Sequence, residues 1–282
     1  MNNYPVLSQL QAEALLKARQ EQEVSAEVSP DLGLSTAAVS LSSEGVFFPG
    51  GEQAAWGAVE KIAGADNKCF VIRGGAIHDI KTFSEHTNLA YSLYATEGAP
   101  TMLISGFPMH RIKGTDPHRD TLEKIKALAP VVGRVLDTTT GLGYTAIEAA
   151  KTAGQVITIE IDPAALEIAR QNPWSQALFN NPKITQLVGS SFEKIKAFDE
   201  GSFSRIIHDP PTLKLAGDLY SAAFYRELYR VLALNGQLFH YIGNPESKTG
   251  STTTKGVIRR LREVGFKKVN PKPKAFGVTA YK

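Results

Sequence analysis

From residue 133 onward the chain alternates, five times in succession, between a short apolar run and a segment with helical spacing. "GRVLD" precedes "GYTAIEAAKTAG", "QVITIE" precedes "PAALEIARQNP", and "ITQLVG" precedes "SFEKIKAF". "SRIIHD" then precedes "SAAFYRELYRVLA", and "GQLFHYIG" precedes "TTKGVIRRLREVG". The apolar runs carry few polar residues, so each strand needs cover on both faces, and the intervening helices supply it. "KKVNPKP" and "FGVTAYK" close the chain as a strand pair. Such a pattern folds as a doubly wound α/β sheet.

The first part of the chain has a different texture. "AAVSLS", "GVFFP", "CFVIRGG" and "TMLISGF" are short β-type runs divided by Gly, Pro and Ser. "GGEQAAWGAVEKIAG" reads as a helix among them, and Leu7, Leu10, Ala14 and Ala18 fall on one face of an N-terminal helix. "RIKGTDPHRD" marks a boundary, after which Asp116 and Pro117 open a further helix. The expected organisation is a small α+β domain over 1–115 and an α/β domain over 116–282, a fair division for 282 residues. No apolar run approaches the ~20 residues of a membrane span, and the N-terminus lacks a basic-then-apolar signal. One cysteine, Cys69, excludes an internal disulfide and a cysteine zinc site, and the six histidines show no metal-ligand spacing. The chain reads as cytoplasmic, with no metal; its oligomeric state is not written in the sequence.

The stretch "VLDTTTGLGYTAIEAA" bears most on chemistry. Asp137 ends a strand, Gly141 and Gly143 lie in the turn, and Tyr144 starts a helix. Glycines in such a turn let the backbone approach a ligand, and a helix N-terminus favours negative charge. Glu160 ends the next strand, where a carboxylate can take both hydroxyls of a ribose. Two ligand classes fit. "GLGYTA" matches the dinucleotide pattern of NAD sites. Asp137, however, would repel a pyrophosphate, whereas a cationic, phosphate-free nucleoside such as S-adenosylmethionine suits it.

"IIHDPPT" has the same strand-then-loop form. It sets His208, Asp209 and Pro210 at a strand end beside the first loop. An Asp carboxylate there can accept an amine N–H and aim the nitrogen lone pair at a methyl carbon. The two prolines fix the loop and leave its carbonyls as acceptors. His208 reads as a base, a cofactor contact or a hydrogen-bonded core residue, the last being the ordinary fate of a lone histidine. His240, Tyr241 and Asn244 follow the next strand as second-rank candidates for substrate contact. His110, Arg111, Asp116, His118 and Arg119 cluster before the α/β domain and read as exposed polar residues, with lining of the domain's mouth as the alternative.

In order, "LDTTTGLG", "IEIDP", "VGSSFE" and "HDPP" resemble the four motifs of class I S-adenosylmethionine-dependent methyltransferases. "LDTTTGLGYTAIEA", "NPWS", "HDPP" and "FYRELYRVL" resemble, more narrowly, a prokaryotic family of predicted methyltransferases. The resemblance covers roughly 130–282 and implies a Rossmann-like sheet with S-adenosyl-L-methionine as cofactor. It implies that Asp137, Thr139, Gly141, Gly143 and Tyr144 surround the methionine end. Glu160 would hold the ribose, Ile161 would lie beside the adenine, and Ser190, Ser191 and Phe192 would run along its edge. "HDPP" resembles the (Asp/Asn)-Pro-Pro-aromatic motif of amino-methylating enzymes, which implies catalytic roles for Asp209, Pro210 and His208. Thr212 stands in the aromatic position, so Tyr220 or Tyr225 would have to supply any stacking ring. Thr139 stands where many members of the class have a glycine, and Ser190 where an aspartate is common.

Charge is unevenly spread. Ten of the 31 Lys and Arg lie from Ser247 onward against one acid, Glu263, so that segment carries +9 and the remainder −6. A basic region of this kind suits phosphates, and also suits a plain solvated surface. The leading expectation is N-methylation of an amine on RNA, with 247–282 meeting the RNA. The alternatives are an aminopropyltransferase of polyamine synthesis, a non-catalytic nucleic-acid-binding protein and, more distantly, a nicotinamide-dependent oxidoreductase.

Overall fold

The computed structural model describes residues 4–213 and 215–282, with Lys248 and Thr249 described by backbone alone. Met1–Asn3, the start of the N-terminal stretch considered above, lie outside the described residues. The chain forms two compact units. One comprises 1–118 together with 164–177, the other 119–163 together with 178–282.

The first unit is built from antiparallel strands in three small sheets. Cys69–Arg73 pairs with Val6–Ser8 on one side and Ala76–Asp79 on the other. Ser25–Val28, Ala37–Leu41, Gly45–Phe47 and Gln53–Ala55 form the second sheet, and Lys81–Ser84, Leu89–Tyr94, Thr101–Ile104 and Phe107–Pro108 the third. The core gathers Leu7, Leu15, Val39, Trp56, Ile62 and Ile72. Two local expectations are corrected. The "GGEQAAWGAVEKIAG" stretch is a strand, Gln53–Ala55, followed by a helix, Trp56–Ala63. The strand exists because Val46 pairs with Ala54 across the hairpin, a partner outside any helical window. In the N-terminal helix, Gln9–Gln20, the buried residues are Ala12, Leu15 and Ala18, while Leu10 and Ala14 face solvent. Ser8 and Gln11 form a capping box there, so Leu7 precedes the helix and packs from the adjoining strand.

In the second unit seven strands form one sheet. They are β1 (Arg134–Asp137), β2 (Gln155–Glu160), β3 (Ile184–Val188), β4 (Phe203–His208), β5 (Leu232–Tyr241), β6 (Lys267–Lys272) and β7 (Gly277–Tyr281). Their order is β3-β2-β1-β4-β5-β7-β6. The first five are parallel and β7 is antiparallel to both neighbours. The sequence alternation is therefore realised, and order reverses between β1 and β4, the place where ligands bind in such sheets. Helices α1 (Pro117–Leu128), α2 (Tyr144–Ala150), α3 (Pro163–Gln171), α4 (Ser191–Lys194), α5 (Ala222–Val231) and α6 (Lys248–Val264) follow in chain order. Residues 164–177, which hold nearly all of α3, group with the first unit. Phe203, Phe224, Tyr225, Leu228, Leu238 and Leu261 pack between β4, β5, α5 and α6.

The β1–α2 turn brings the nucleoside-loop residues to the carboxyl edge of the sheet. Gly143 caps α2 with φ of 79°, and a Cβ built there would stand 2.6 Å from Leu178 Cδ2. Gly141 also has positive φ, but its Cβ would meet open space. The first glycine thus keeps the loop clear, and the second permits close packing. Gly143→Ala should lower stability by about 1–3 kcal/mol through strain and overpacking. Gly141→Ala should cost less, and urea unfolding of the two variants checks the order.

Candidate active site

Asp137, Thr139, Gly141, Glu160 and Asp209 converge at the carboxyl ends of β1, β2 and β4. The three threonines after Asp137 tie these strand ends together. Thr138 Oγ1 lies 2.7 Å from His208 Nδ1, Thr139 Oγ1 donates to the Asp209 carbonyl at 2.7 Å, and Thr140 Oγ1 meets Thr158 Oγ1 at 2.7 Å. Thr139, in the place of a familial glycine, thereby pins the loop that carries Asp209.

The Asp137 carboxylate is fully buried. Oδ2 accepts from the hydroxyls of Thr145 and Thr158, at 2.9 and 3.2 Å. Oδ1 has no hydrogen-bond partner among the described residues. Burial, opposed by those hydroxyls and reinforced by the Asp209 charge, pushes its pKa up to about 7. Glu160 accepts the Gly141 N–H at 2.8 Å through Oε2 and the Asp162 N–H at 3.1 Å through Oε1. Burial raises its pKa, against the pull of the backbone donors. A carboxylate has about four acceptor positions, so Glu160 braces the glycine loop and retains capacity for ribose hydroxyls. Ile161 is 53% exposed beside it.

Ser190, Ser191 and Phe192 follow β3. The Ser191 hydroxyl donates to the Thr138 carbonyl. Ser190 caps α4 through backbone geometry, without a side-chain bond. The Phe192 ring turns toward the core and stacks on Phe224, with centroids 5.9 Å apart.

At the end of β4, His208 is fully buried. Its Nε2 lies 3.0 Å from the Leu219 carbonyl, which can only accept, so Nε2 carries the proton. Nδ1 then accepts from Thr138. Burial drives the His208 pKa down to about 3, so the ring is neutral and both its nitrogens are committed. His240 is buried as well, 4.3 Å from the His208 ring, with Nε2 2.8 Å from the Tyr225 hydroxyl. Tyr220 and Tyr225 are buried, and Tyr220 donates its hydroxyl to the Pro211 carbonyl at 3.0 Å. Neither ring is open for stacking. The carbonyls of Asp209 and Pro211 already accept hydrogen bonds, contrary to the expectation that loop carbonyls stay free.

Asp209 has a partner that local sequence did not suggest. Lys124 Nζ, on α1, lies 2.7 Å from Asp209 Oδ2 and 2.9 Å from Asp120 Oδ2. The Lys124 side chain is 3% exposed and that of Asp209 17%. The Tyr241 ring covers the ammonium at 4.6 Å. Burial alone would lower the Lys124 pKa, but the two carboxylates outweigh it and hold the group charged. Burial raises the Asp209 carboxyl, and Lys124 opposes that rise. Two residues of the sequence cluster before the α/β domain have partners within the first unit. His110 Nδ1 lies 2.9 Å from Thr101 Oγ1, and His118 approaches Trp174 with ring centroids 5.4 Å apart. Among the described residues, no group of three metal-ligating side chains is assembled, and no helix is long and apolar enough to cross a membrane.

A sheet of this strand order, with an acid ending β1, glycines in the β1–α2 turn and an acid ending β2, has the Rossmann-like fold of class I methyltransferases. Residues 135–236 match a family model described as a methyltransferase domain. The chain belongs to the same family as the uncharacterized protein MJ1233 of Methanocaldococcus jannaschii. The two are 43% identical over 237 residues, which cover 83% of this chain and 80% of that protein. A polyamine aminopropyltransferase of Streptomyces coelicolor is 29% identical over 55% of this chain and 29% of its own length. A putrescine N-methyltransferase of Nicotiana tabacum is 25% identical over 48% of this chain and 36% of its own length. In fold, the chain is similar to the spermidine synthase of Thermotoga maritima. That likeness has a TM-score of 0.57 and 17% identity, covering 74% of this chain and 75% of that one. It is also similar to MnmC2 of Aquifex aeolicus, with a TM-score of 0.52 and 19% identity, covering 67% and 70%.

The raised pKa of Asp137 fixes the sign of one pH effect. Between about pH 4 and 7 the folded state binds more protons at this group than the unfolded state, so its contribution to stability falls as pH rises through that interval, while the buried neutral His208 and His240 contribute with the opposite sign. Urea unfolding of wild type and Asp137→Asn at pH 5 and pH 8 isolates the group: the wild type should lose stability relative to the variant between the two pH values, by about 1–4 kcal/mol.

Proposed function

We propose that the protein transfers the methyl group of S-adenosylmethionine to an amine nitrogen on RNA. The observation that carries this reading is the Asp209 carboxylate. It is partly exposed at the strand-order reversal, and only one of its oxygens is bound among the described residues. The other is placed to accept an N–H. The residues also fit the cofactor. Asp137 offers an unsatisfied buried oxygen to a cationic methionyl group, Gly141 leaves open space, Glu160 retains ribose capacity and Ile161 offers an apolar face to the adenine.

When bound, the sulfonium supplies an electrophilic methyl and leaves as a neutral thioether. Asp209 Oδ1 holds one N–H of the acceptor, turns the lone pair toward the methyl and takes the proton that the methylated nitrogen sheds. Pro210 and Pro211 keep this loop in place, with Thr139 and Tyr220 holding two of its carbonyls. His208 braces the β1 and β4 strand ends from beneath. The +9 charge from Ser247 onward supports an RNA substrate.

A second reading, aminopropyl transfer from decarboxylated S-adenosylmethionine, is favoured by the aminopropyltransferase relatives and the spermidine synthase fold. The site offers a polyamine few open acids, because Asp209 already carries Lys124. Calorimetric titration with S-adenosylmethionine, S-adenosylhomocysteine, decarboxylated S-adenosylmethionine and NAD separates the readings. Micromolar binding of the first two is the expected result, and a clear preference for the decarboxylated form would replace methyl transfer with aminopropyl transfer. Glu160→Ala should weaken cofactor binding at least tenfold. Asp209→Ala should leave it within about threefold while lowering turnover by about 10²-fold or more.

A further inference from the structure

Lys124 is an unusual residue to find at such a site. It stands on α1, 85 residues before Asp209, and its ammonium is all but removed from solvent. A buried lysine either gives up its proton or has its charge compensated. Here the compensation is Asp209 at 2.7 Å, Asp120 at 2.9 Å and the face of Tyr241 at 4.6 Å. Asp209 meets further groups from other elements: the Asp137 carboxyl on β1 and the Tyr220 hydroxyl between β4 and α5 both interact with it electrostatically.

We propose that Lys124 is a positioning residue of this site: it fixes Oδ2 of Asp209, leaves Oδ1 as the open acceptor, and so adapts the site to an uncharged amino nitrogen rather than an ammonium. An ammonium has no lone pair, and it would have to surrender a proton before attacking a methyl group. Lys124 sets a fixed cation on the carboxylate that would receive the acceptor nitrogen, which weakens that carboxylate's pull on a polyammonium and leaves Oδ1 to accept one N–H. An exocyclic base amine or an amide nitrogen meets neither obstacle. The proposal rests on the methyl-transfer reading above.

The test is ¹³C-carboxyl NMR titration of the full chain as wild type, Asp209→Asn, Lys124→Met and Asp120→Asn. The Asp209 resonance is the one lost in Asp209→Asn. In Lys124→Met its midpoint should rise by at least one pH unit, because the opposing cation is gone. In Asp120→Asn it should fall, because a like charge is gone. A residue that merely fills space would not give opposite shifts. Asp120→Asn, with circular dichroism of both variants, keeps the test decisive if Lys124→Met does not fold. An unchanged midpoint in a folded Lys124→Met, or a rise in Asp120→Asn, overturns the assignment. A second arm offers labelled S-adenosylmethionine with unmodified RNA transcripts or with putrescine. Label in RNA and none in putrescine is the expected result. Label in putrescine from the wild type overturns the choice of an uncharged acceptor. Unlabelled RNA together with the opposite shifts would overturn the RNA reading and leave the Lys124 assignment standing.

Discussion

Three adjacent hydroxyls hold the centre of the second unit in register. Thr138, Thr139 and Thr140 leave β1 in succession, and their hydroxyls reach His208 and the Asp209 carbonyl at the end of β4 and Thr158 on β2. Leaving a buried polar group such as that of Thr138 or Thr140 unpaired costs about 1–3 kcal/mol, so the bonds reinforce one another. They convert a turn that would be soft with glycine into a fixed junction of β1, β2 and β4. Everything chemical in the chain hangs on that junction. Asp209 inherits its position from Thr139, His208 its tautomer from Thr138 and Leu219, and Glu160 its orientation from the Gly141 amide.

The same junction concentrates acids where water is scarce. Asp137, Glu160 and Asp209 all have raised pKa values, and in each case burial is the first cause. Such an arrangement is costly in a free protein and favourable toward a cation that arrives to share the charge. Perturbed carboxyls gathered at one strand edge are a functional signal with a physical basis. Lys124 offsets one of the three from within the chain.

Much of this was legible in the sequence, and the part that was not has a common cause. The five βα units could be read because burial on both faces of a parallel sheet leaves unbroken apolar runs such as "VITIE" and "RIIH". Asp137, Gly141, Glu160 and Asp209 could be read because each ends or follows such a run. Lys124 could not: it belongs to an ordinary-looking helix, and its partner is 85 residues away. The commitment of His208 on both nitrogens and the inward turn of Phe192 are likewise long-range facts, set by Leu219 and Phe224. The strand Gln53–Ala55 escaped for the same reason on a smaller scale, since its pairing with Gly45–Phe47 outweighs local propensity. Segment 164–177 alternates correctly as a crossover helix, yet groups with the first unit through contacts such as that of Trp174 Nε1 with the Leu32 carbonyl at 3.0 Å.

The terminal strand pair has a consequence beyond completing the sheet. β6 precedes β7 in the chain but lies outside it, so β6 forms the edge of the sheet and β7 is its one strand partner among the described residues. The edge it then presents is interrupted at several points. Pro271 lacks an N–H to offer, Lys268 sits at a left-handed φ of 47°, and the pairing shifts register between Lys267 and Asn270. Lys267 and Lys268 are exposed along it. Charged, bulged and proline-bearing edges resist the addition of a strand from another molecule. The lysines at this rim, together with the proline and the bulge, therefore make edge-to-edge addition of a second copy of the sheet unfavourable.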